Sequence, residues 1–227
     1  MKLSIIIPVY NEISSIQKVI EEVKKSCSNK DKEIIIVDDY SIDGTRQFLE
    51  NLKDPQIKVL FHSKNMGKGA CINTAKEYIT GDIVIIQDAD LEYSPQDWPS
   101  LIKLIEEGYA DVVYGSRFLG SHRVFAFWHY FANKFLTFLT NILYDTILTD
   151  METGYKAFKA EVLKKINIKS KRFDFEPEIT AKIFKKKFRV YEVPITYRGR
   201  TYKEGKKITW KDAFWAIWAL IKYRITD

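Results

Sequence analysis

An α/β fold, a mostly parallel sheet flanked by helices, is what this sequence predicts, and three observations predict it. Short β-branched runs alternate with stretches whose apolar residues recur at helical spacing. The runs Leu3–Val9, 33–37 and Ile83–Ile86 are apolar almost without interruption, as strands covered on both faces are. Acidic residues stand directly after each of them, where open parallel sheets place their ligands.

The elements follow in order. Leu3–Val9 is a strand closed by Pro8. Ser14-Ser15 followed by Gln17 predicts a helix N-cap, after which Ile16, Val19, Ile20 and Val23 form one apolar face. Residues 33–37 predict a second strand, 44–52 a helix, Ile57–Phe61 a strand and 69–79 a helix. Ile83–Ile86, a helix over 95–107 and a strand over 111–114 complete the alternating part. After Gly120 the pattern changes. Residues 125–144 predict a long aromatic helix, 173–187 a helix, 188–195 a strand, 198–207 a basic loop and 210–224 a Trp-rich helix.

The 227 residues, 46% hydrophobic, are enough for one domain over 1–227. Two cysteines, Cys27 and Cys71, both in apolar-periodic stretches, give no disulfide framework and no zinc spacing, which fits a reducing compartment. Met1-Lys2-Leu3-Ser4 runs straight into a strand without a cleavable leader, so a cytoplasmic protein is expected. Neither late apolar stretch reads as a membrane span. Residues 125–143 contain His129, Asn133, Lys134 and Asn141, and the clean part of the last helix is too short for the roughly 20 residues a span needs. Charge is uneven: residues 1–150 carry 16 Lys and Arg against 21 Asp and Glu, whereas 151–227 carry 20 against 9. A basic C-terminal third points to an anionic partner such as a phosphate, a nucleic acid or a membrane surface.

The chemistry concentrates in Gln87-Asp88-Ala89-Asp90-Leu91-Glu92, directly after Ile83–Ile86. Hard cations take carboxylate oxygens and share them with substrate phosphates, so Asp88 and Asp90 form a candidate diphosphate-metal site. Taken alone, Asp-x-Asp is as readily a set of turn and cap carboxylates. Two further strand ends, at Pro8-Val9-Tyr10-Asn11-Glu12 and Val37-Asp38-Asp39-Tyr40-Ser41-Ile42-Asp43-Gly44-Thr45, point to the same edge. Acidic side chains there suit a base edge or ribose hydroxyls. Asp43, before Gly44-Thr45, reads as a helix cap, and Asp39 does not.

These motifs together resemble glycosyltransferase family 2. The matching pieces are Ile6-Ile7-Pro8-Val9-Tyr10-Asn11-Glu12, the segment from Val37 to Thr45, Asn65-Met66-Gly67-Lys68-Gly69 and Asp88-Ala89-Asp90. Gly115-Ser116-Arg117-Phe118, Thr149-Asp150-Met151-Glu152-Thr153-Gly154-Tyr155-Lys156 and residues 200–207 extend the resemblance over almost the whole chain, toward the branch of dolichol-phosphate mannose synthases and bacterial polyprenyl-phosphate relatives. The resemblance implies a GT-A fold with a nucleotide-sugar half over 1–118 and an acceptor half over 119–227. It implies that Pro8, Tyr10 and Glu12 line a base pocket with Asp39, that Lys68 sits by the nucleotide, and that Asp88 faces the ribose or sugar. Asp90 would bind Mg²⁺ or Mn²⁺, with Asp88 and Glu92 as further ligands. Glu92 stands where lipid-phosphate relatives often carry Gln. Tyr40 replaces a common Gly, which predicts a less strained turn, and Thr153 replaces a common Ser.

The resemblance further implies inverting transfer of a hexose from a GDP- or UDP-sugar to a polyprenyl phosphate. A phosphate acceptor with a second pKa of about 6 is already largely anionic near neutral pH, so it needs cations rather than a strong base. Arg117, Arg123, Arg200 and Lys207 are the candidates, since Arg grips phosphate bidentately. A sugar-hydroxyl acceptor would instead need a carboxylate base, and Asp150 and Glu152 stand in a motif able to supply one. A non-catalytic nucleotide-binding or nucleic-acid-binding module is the third reading. The favoured one takes no nucleic acid. Finally, Phe125, Phe127, Trp128, Tyr130, Phe131, Phe135 and Phe138, with Trp210, Phe214, Trp215 and Trp218, suit helices lying at a membrane surface. Core or dimer contacts are the competing reading. A protein peripheral on the cytoplasmic face of a membrane is therefore expected.

Overall fold

A computed structural model describes residues 1–124, 126–170, 174–199 and 210–226. Seven strands form one sheet in the order β3-β2-β1-β4-β6-β5-β7. They are β1 (Leu3–Val9), β2 (Lys32–Asp38), β3 (Ile57–Phe61), β4 (Ile83–Ile86), β5 (Val112–Ser116), β6 (Lys156–Lys159) and β7 (Val190–Pro194). The helices are α1 (Ile16–Lys25), α2 (Thr45–Glu50), α3 (Lys68–Lys76), α4 (Trp98–Glu106), α5 (Phe127–Tyr144), α6 (Ala160–Lys165), α7 (Phe175–Lys185) and α8 (Trp210–Ile225).

Strands β3, β2, β1 and β4 run parallel. Their register aligns Val9 with Asp38 and Ile6 with Ile86, so the loops after β1, β2 and β4 open at one edge. Side chains alternate between two cores. Ile5, Ile7, Ile34 and Ile36 face α1 and α4 with Trp98, whereas Ile6, Ile35, Val37 and Ile86 face α3, α6, α7 and α8. Each fully buried isoleucine contributes roughly 1.5–3 kcal/mol, and burial on both faces is why these strands show no polar alternation.

Three expectations change. First, the sequence signalled neither β6 nor α6. Strand β6 lies antiparallel between β4 and β5, and its sequence Lys-Ala-Phe-Lys reads as a surface. Yet Lys156 is fully buried, its ammonium bonded to the carbonyls of Met151 and Thr153 and lying over the Tyr114 ring. Burial lowers the Lys156 pKa. Helix α6 is six residues long, too short for periodicity to show. Second, Ser15 occupies the N-cap position of α1 without capping it. Its hydroxyl donates instead to the Ala89 carbonyl at 2.7 Å and to Glu12 at 2.8 Å, tying the end of β1 to the acidic loop. Third, Tyr40 keeps the left-handed conformation, φ +67°, that a glycine would favour. The turn is therefore more strained than expected, by about 1–2 kcal/mol.

Candidate active site

Each strand-end loop is fixed by bonds to its neighbours. Asn11 donates its backbone N–H to Ser41 Oγ and accepts from the Ile42 N–H, which joins the loops after β1 and β2. Asp43 accepts from the Thr45 N–H and hydroxyl with one oxygen and from the Ile13 N–H with the other, the structural role its sequence context indicates. Pro8, partly buried, Tyr10, partly exposed, and Glu12, buried, all lie at this edge.

Asp39 is 2% exposed and holds the loop that precedes α3. Its carboxylate accepts from the Met66 N–H at 2.8 Å and the Gly67 N–H at 2.6 Å. It also lies 2.7 Å from His62 Nδ1, which donates to it, while His62 Nε2 lies 2.9 Å from the Thr74 hydroxyl. The residue assigned to a base pocket is thus also the anchor that sets where Lys68 begins its helix. Asp39, His62 and Cys71 lie close enough together to suggest a metal centre. Their chemistry does not fit one. The carboxylate and both ring nitrogens already hold hydrogen bonds, and burial beside Asp39 and Asp38 pushes the Cys71 thiol up, away from the thiolate a metal needs.

The acidic loop lies opposite. Asp90 accepts from the Glu92 N–H at 3.1 Å, a tight turn in which Leu91 is left-handed at φ +62°. Glu92 accepts from the Tyr197 hydroxyl at 2.6 Å. Asp88 is paired with Lys68, whose ammonium lies 2.7 Å from Oδ1 and also contacts Glu176 at 2.9 Å. Tyr93 packs between the rings of Tyr155 and Tyr197 and accepts from the Gly154 N–H at 2.9 Å, which holds this loop against the turn before β6. A Cβ on Gly154 would come within 2.4 Å of Asp88 Oδ2, so a larger residue there would displace this carboxylate. Asp88, Asp90 and Glu92 supply hard carboxylate oxygens from one loop, the donor chemistry that Mg²⁺ or Mn²⁺ takes together with phosphates, but among the described residues they are not drawn into one close cluster of ligand atoms.

At the end of β5, Arg117 and Asp150 form a bidentate pair. Nε donates to Oδ2 at 2.8 Å, an Nη to Oδ1 at 2.7 Å, and the Arg117 N–H to Oδ2 at 3.0 Å. Arg117 is 8% exposed and lies over the Tyr197 ring. Burial opposes its charge, but Asp150, Tyr93 and Tyr197 together offset burial and raise its pKa. The sequence suggested a cation open to phosphate; the structure places it in a buried pair. Asp150 and Thr149 are held in turn by Glu192, which accepts from both their backbone N–H groups. Glu152 differs. Its Oε1 is buried with no hydrogen-bond partner among the described residues, and burial, with Glu176 nearby, raises its pKa to about 7. Arg123 donates to the Gly199 carbonyl and lines an open cavity of about 320 Å³ with Ser121, His122, Thr196, Tyr197 and Arg198. Arg200, Lys207 and Phe125 lie outside the described residues.

Sequence reasoning missed Glu176, His62, Tyr93 and Tyr197. Glu176 sits in the first turn of α7, where an acidic residue reads as a partner of the helix dipole. The tyrosines lie in no motif, and their isolated bridge Tyr93–Tyr197 has no local pattern.

Known proteins share this fold. The structure superposes on Mycobacterium tuberculosis glucosyl-3-phosphoglycerate synthase in complex with Mn²⁺, UDP and glucosyl-3-phosphoglycerate. The TM-score is 0.76 at 18% identity, over 100% of this chain and 81% of that one, a likeness of GT-A fold. In sequence, the chain is 29% identical over 217 residues to a dolichol-phosphate mannosyltransferase of Pyrococcus furiosus, covering 92% of this chain. It is 30% identical over 210 residues to an undecaprenyl-phosphate 4-deoxy-4-formamido-L-arabinose transferase of Proteus mirabilis, covering 90%. It spans 61% and 62% of those relatives' lengths. The model of "Glycosyl transferase family 2" matches residues 4–167, which takes in the loops after β1, β2 and β4, the Arg117–Asp150 pair and the turn before β6. With that span matched, the chain belongs to glycosyl transferase family 2.

Proposed function

We propose that the chain transfers a hexose from a GDP- or UDP-sugar to a polyprenyl phosphate, with inversion, using Mg²⁺ or Mn²⁺. The observation that carries this reading is the convergence of Asp88, Asp90 and Lys68 at one sheet edge, in a chain whose two named relatives act on dolichol and undecaprenyl phosphates. In it, residues 1–118 supply the nucleotide half and 119–227 the acceptor half of one domain. The loops after β1 and β2, with Pro8, Tyr10, Glu12 and Asp39, border the nucleotide. Asp90, with Asp88 and Glu92, would hold the metal, which when bound would neutralise charge on the leaving diphosphate. Lys68 adds a fixed cation beside it. Arg123, together with Arg200 and Lys207, would orient the incoming phosphate, and Arg117, held by Asp150, lies over the Tyr197 ring. The acceptor is already ionised, so the chain needs no base and acts by alignment and charge.

A screen of GDP- and UDP-hexoses with undecaprenyl phosphate and Mn²⁺, read as labelled lipid, tests this reading. One donor should give lipid product and the others little. Donor hydrolysis without lipid transfer would leave a glycosyltransferase of another acceptor, and neither product would leave a binding module. One observation favours a second reading, transfer to a saccharide hydroxyl. The unpartnered Glu152, with a pKa of about 7, has the properties of a general base.

The same reading places the chain on a membrane surface. Among the described residues no helix is long and apolar enough to cross a membrane. Exposed aromatics line two helices, with Phe131, Phe135 and Phe138 on α5 and Phe214, Trp215 and Trp218 on α8. Contacts join α5 to α8 directly, through the Tyr144 hydroxyl donating to the Leu220 carbonyl. Aromatic side chains at headgroup depth, with a basic C-terminal third, suit an anionic bilayer surface. Vesicle co-sedimentation should show binding to anionic lipid that falls as salt shortens screening below about 8 Å. Trp215→Ala with Trp218→Ala should weaken it roughly tenfold or more. Binding indifferent to both salt and these substitutions would remove the membrane from the reading.

A further inference from the structure

The ammonium of Lys68 bridges both oxygens of Asp88, at 2.7 Å from Oδ1 and 3.1 Å from Oδ2. Its third contact is Glu176 Oε1 at 2.9 Å. Glu176 arrives from the first turn of α7, more than a hundred residues away in sequence, and is 8% exposed. Its other oxygen, Oε2, is buried with no hydrogen-bond partner among the described residues. The Gly154 backbone closes the group from the side, since a Cβ there would lie 3.2 Å from Lys68 Nζ. The ammonium thus lies between two carboxylates, those of Asp88 and Glu176. A single positive charge therefore sits on a carboxylate of the acidic loop.

We propose that Glu176 is a positioning residue that holds Lys68 as a resident cation on Asp88, so that this carboxylate opens to a divalent metal only when a nucleotide diphosphate draws the ammonium away. The inference rests on the proposed function, which makes Asp88 a metal ligand. An ammonium and a divalent cation compete for the same two oxygens, and the nearer charge holds them until a better partner arrives. The diphosphate is that partner for Lys68, as the metal is for Asp88. Glu176 keeps the ammonium paired on its other side during the exchange, which avoids an uncompensated buried charge. By linkage, the factor by which diphosphate tightens metal equals the factor by which metal tightens diphosphate.

The test is Mn²⁺ binding read from the spin-resonance signal of the free ion, with and without saturating GDP or UDP. Nucleotide binding in EDTA is measured separately by calorimetry. Lys68→Gln and Lys68→Met should each tighten Mn²⁺ about tenfold without nucleotide, and change it little with nucleotide present. Both should weaken nucleoside diphosphate binding in EDTA. Glu176→Gln should loosen the ammonium's hold on Asp88 and so tighten nucleotide-free Mn²⁺ in the same direction as the Lys68 variants, by less because it also removes a negative charge; Mn²⁺ affinity unchanged or weakened in Glu176→Gln without nucleotide overturns the role given to Glu176. A general loss of positive charge would instead tighten Mn²⁺ equally in both conditions. That result, or nucleotide-free Mn²⁺ affinity no tighter than wild type in both Lys68 variants, overturns the inference. Lys68→Gln retains donors for both carboxylates, so it keeps the test open should Lys68→Met lose its thermal transition. Wild-type Mn²⁺ affinity that responds to neither diphosphate would instead overturn the donor reading beneath the inference.

Discussion

Asp90→Asn is expected to lower sugar transfer by about 1000-fold or more while leaving the fold intact. The carboxylate accepts the Glu92 N–H at Oδ1 at 3.1 Å, a hydrogen bond that an amide oxygen can still accept. The backbone is thus kept and the charge removed. A neutral amide is a poor ligand for a hard cation, and the diphosphate would leave without its neutralising partner. The variant should keep its wild-type thermal transition, and EDTA should silence the wild type to the same degree. Full activity in EDTA, or most of it in Asp90→Asn, would remove the metal from the proposed chemistry.

Arg117→Ala should produce the second large effect, and the structure changes what it reports. Removing the arginine leaves Asp150 buried without its bidentate partner, a loss of about 3–5 kcal/mol in stability. Urea unfolding should show it, whatever the acceptor. Lost turnover in this variant then reflects the scaffold as well as the acceptor phosphate. The discriminating substitution is Glu152→Gln, since Glu152 has an unpartnered buried oxygen and Asp150 does not. With a phosphate acceptor, Glu152→Gln should stay within a few-fold of wild type, because no proton leaves the nucleophile. With a hydroxyl acceptor it should drop turnover by about 100- to 10,000-fold with the acceptor still bound. The second outcome would replace the lipid-phosphate reading with the saccharide one. An unfolding midpoint for Arg117→Ala like that of wild type would contradict the role given to the buried pair.

Much of the nucleotide side was legible in the sequence because its signals are local. Buried strands announce themselves as apolar runs, so β1, β3 and β4 begin and end where the sequence places them. The acidic loop follows β4 directly, and Lys68 lies in a glycine-flanked loop. What stayed hidden depends on contacts far apart in the chain. Ser15 looked like a cap because its neighbours suit one, but a carbonyl 74 residues away takes its hydroxyl. Arg117 looked open because the partner that closes it, Asp150, stands 33 residues on. Lys156 was masked by its own chemistry, since a lysine in a strand reads as surface unless two carbonyls and an aromatic face are known to receive it. Glu176 was masked by a sufficient local explanation, the helix dipole.

The antiparallel β6 has a consequence for how the molecule assembles. The four strands on its one side come from the first 86 residues, and β5 and β7 lie on its other side. Until residue 159 has emerged from the ribosome, β4 has a bare edge and β5 has no route to the rest of the sheet. Closing that gap joins strands more than 70 residues apart, a slow, non-local step. The turn that closes it also carries Gly154, against Asp88 and Lys68. The Gly154 turn thus takes its place beside Asp88 and Lys68 only when β6 pairs, with β7 still to join β5, and until β6 pairs the nascent chain presents an unpaired apolar strand edge, the kind of surface on which chains aggregate.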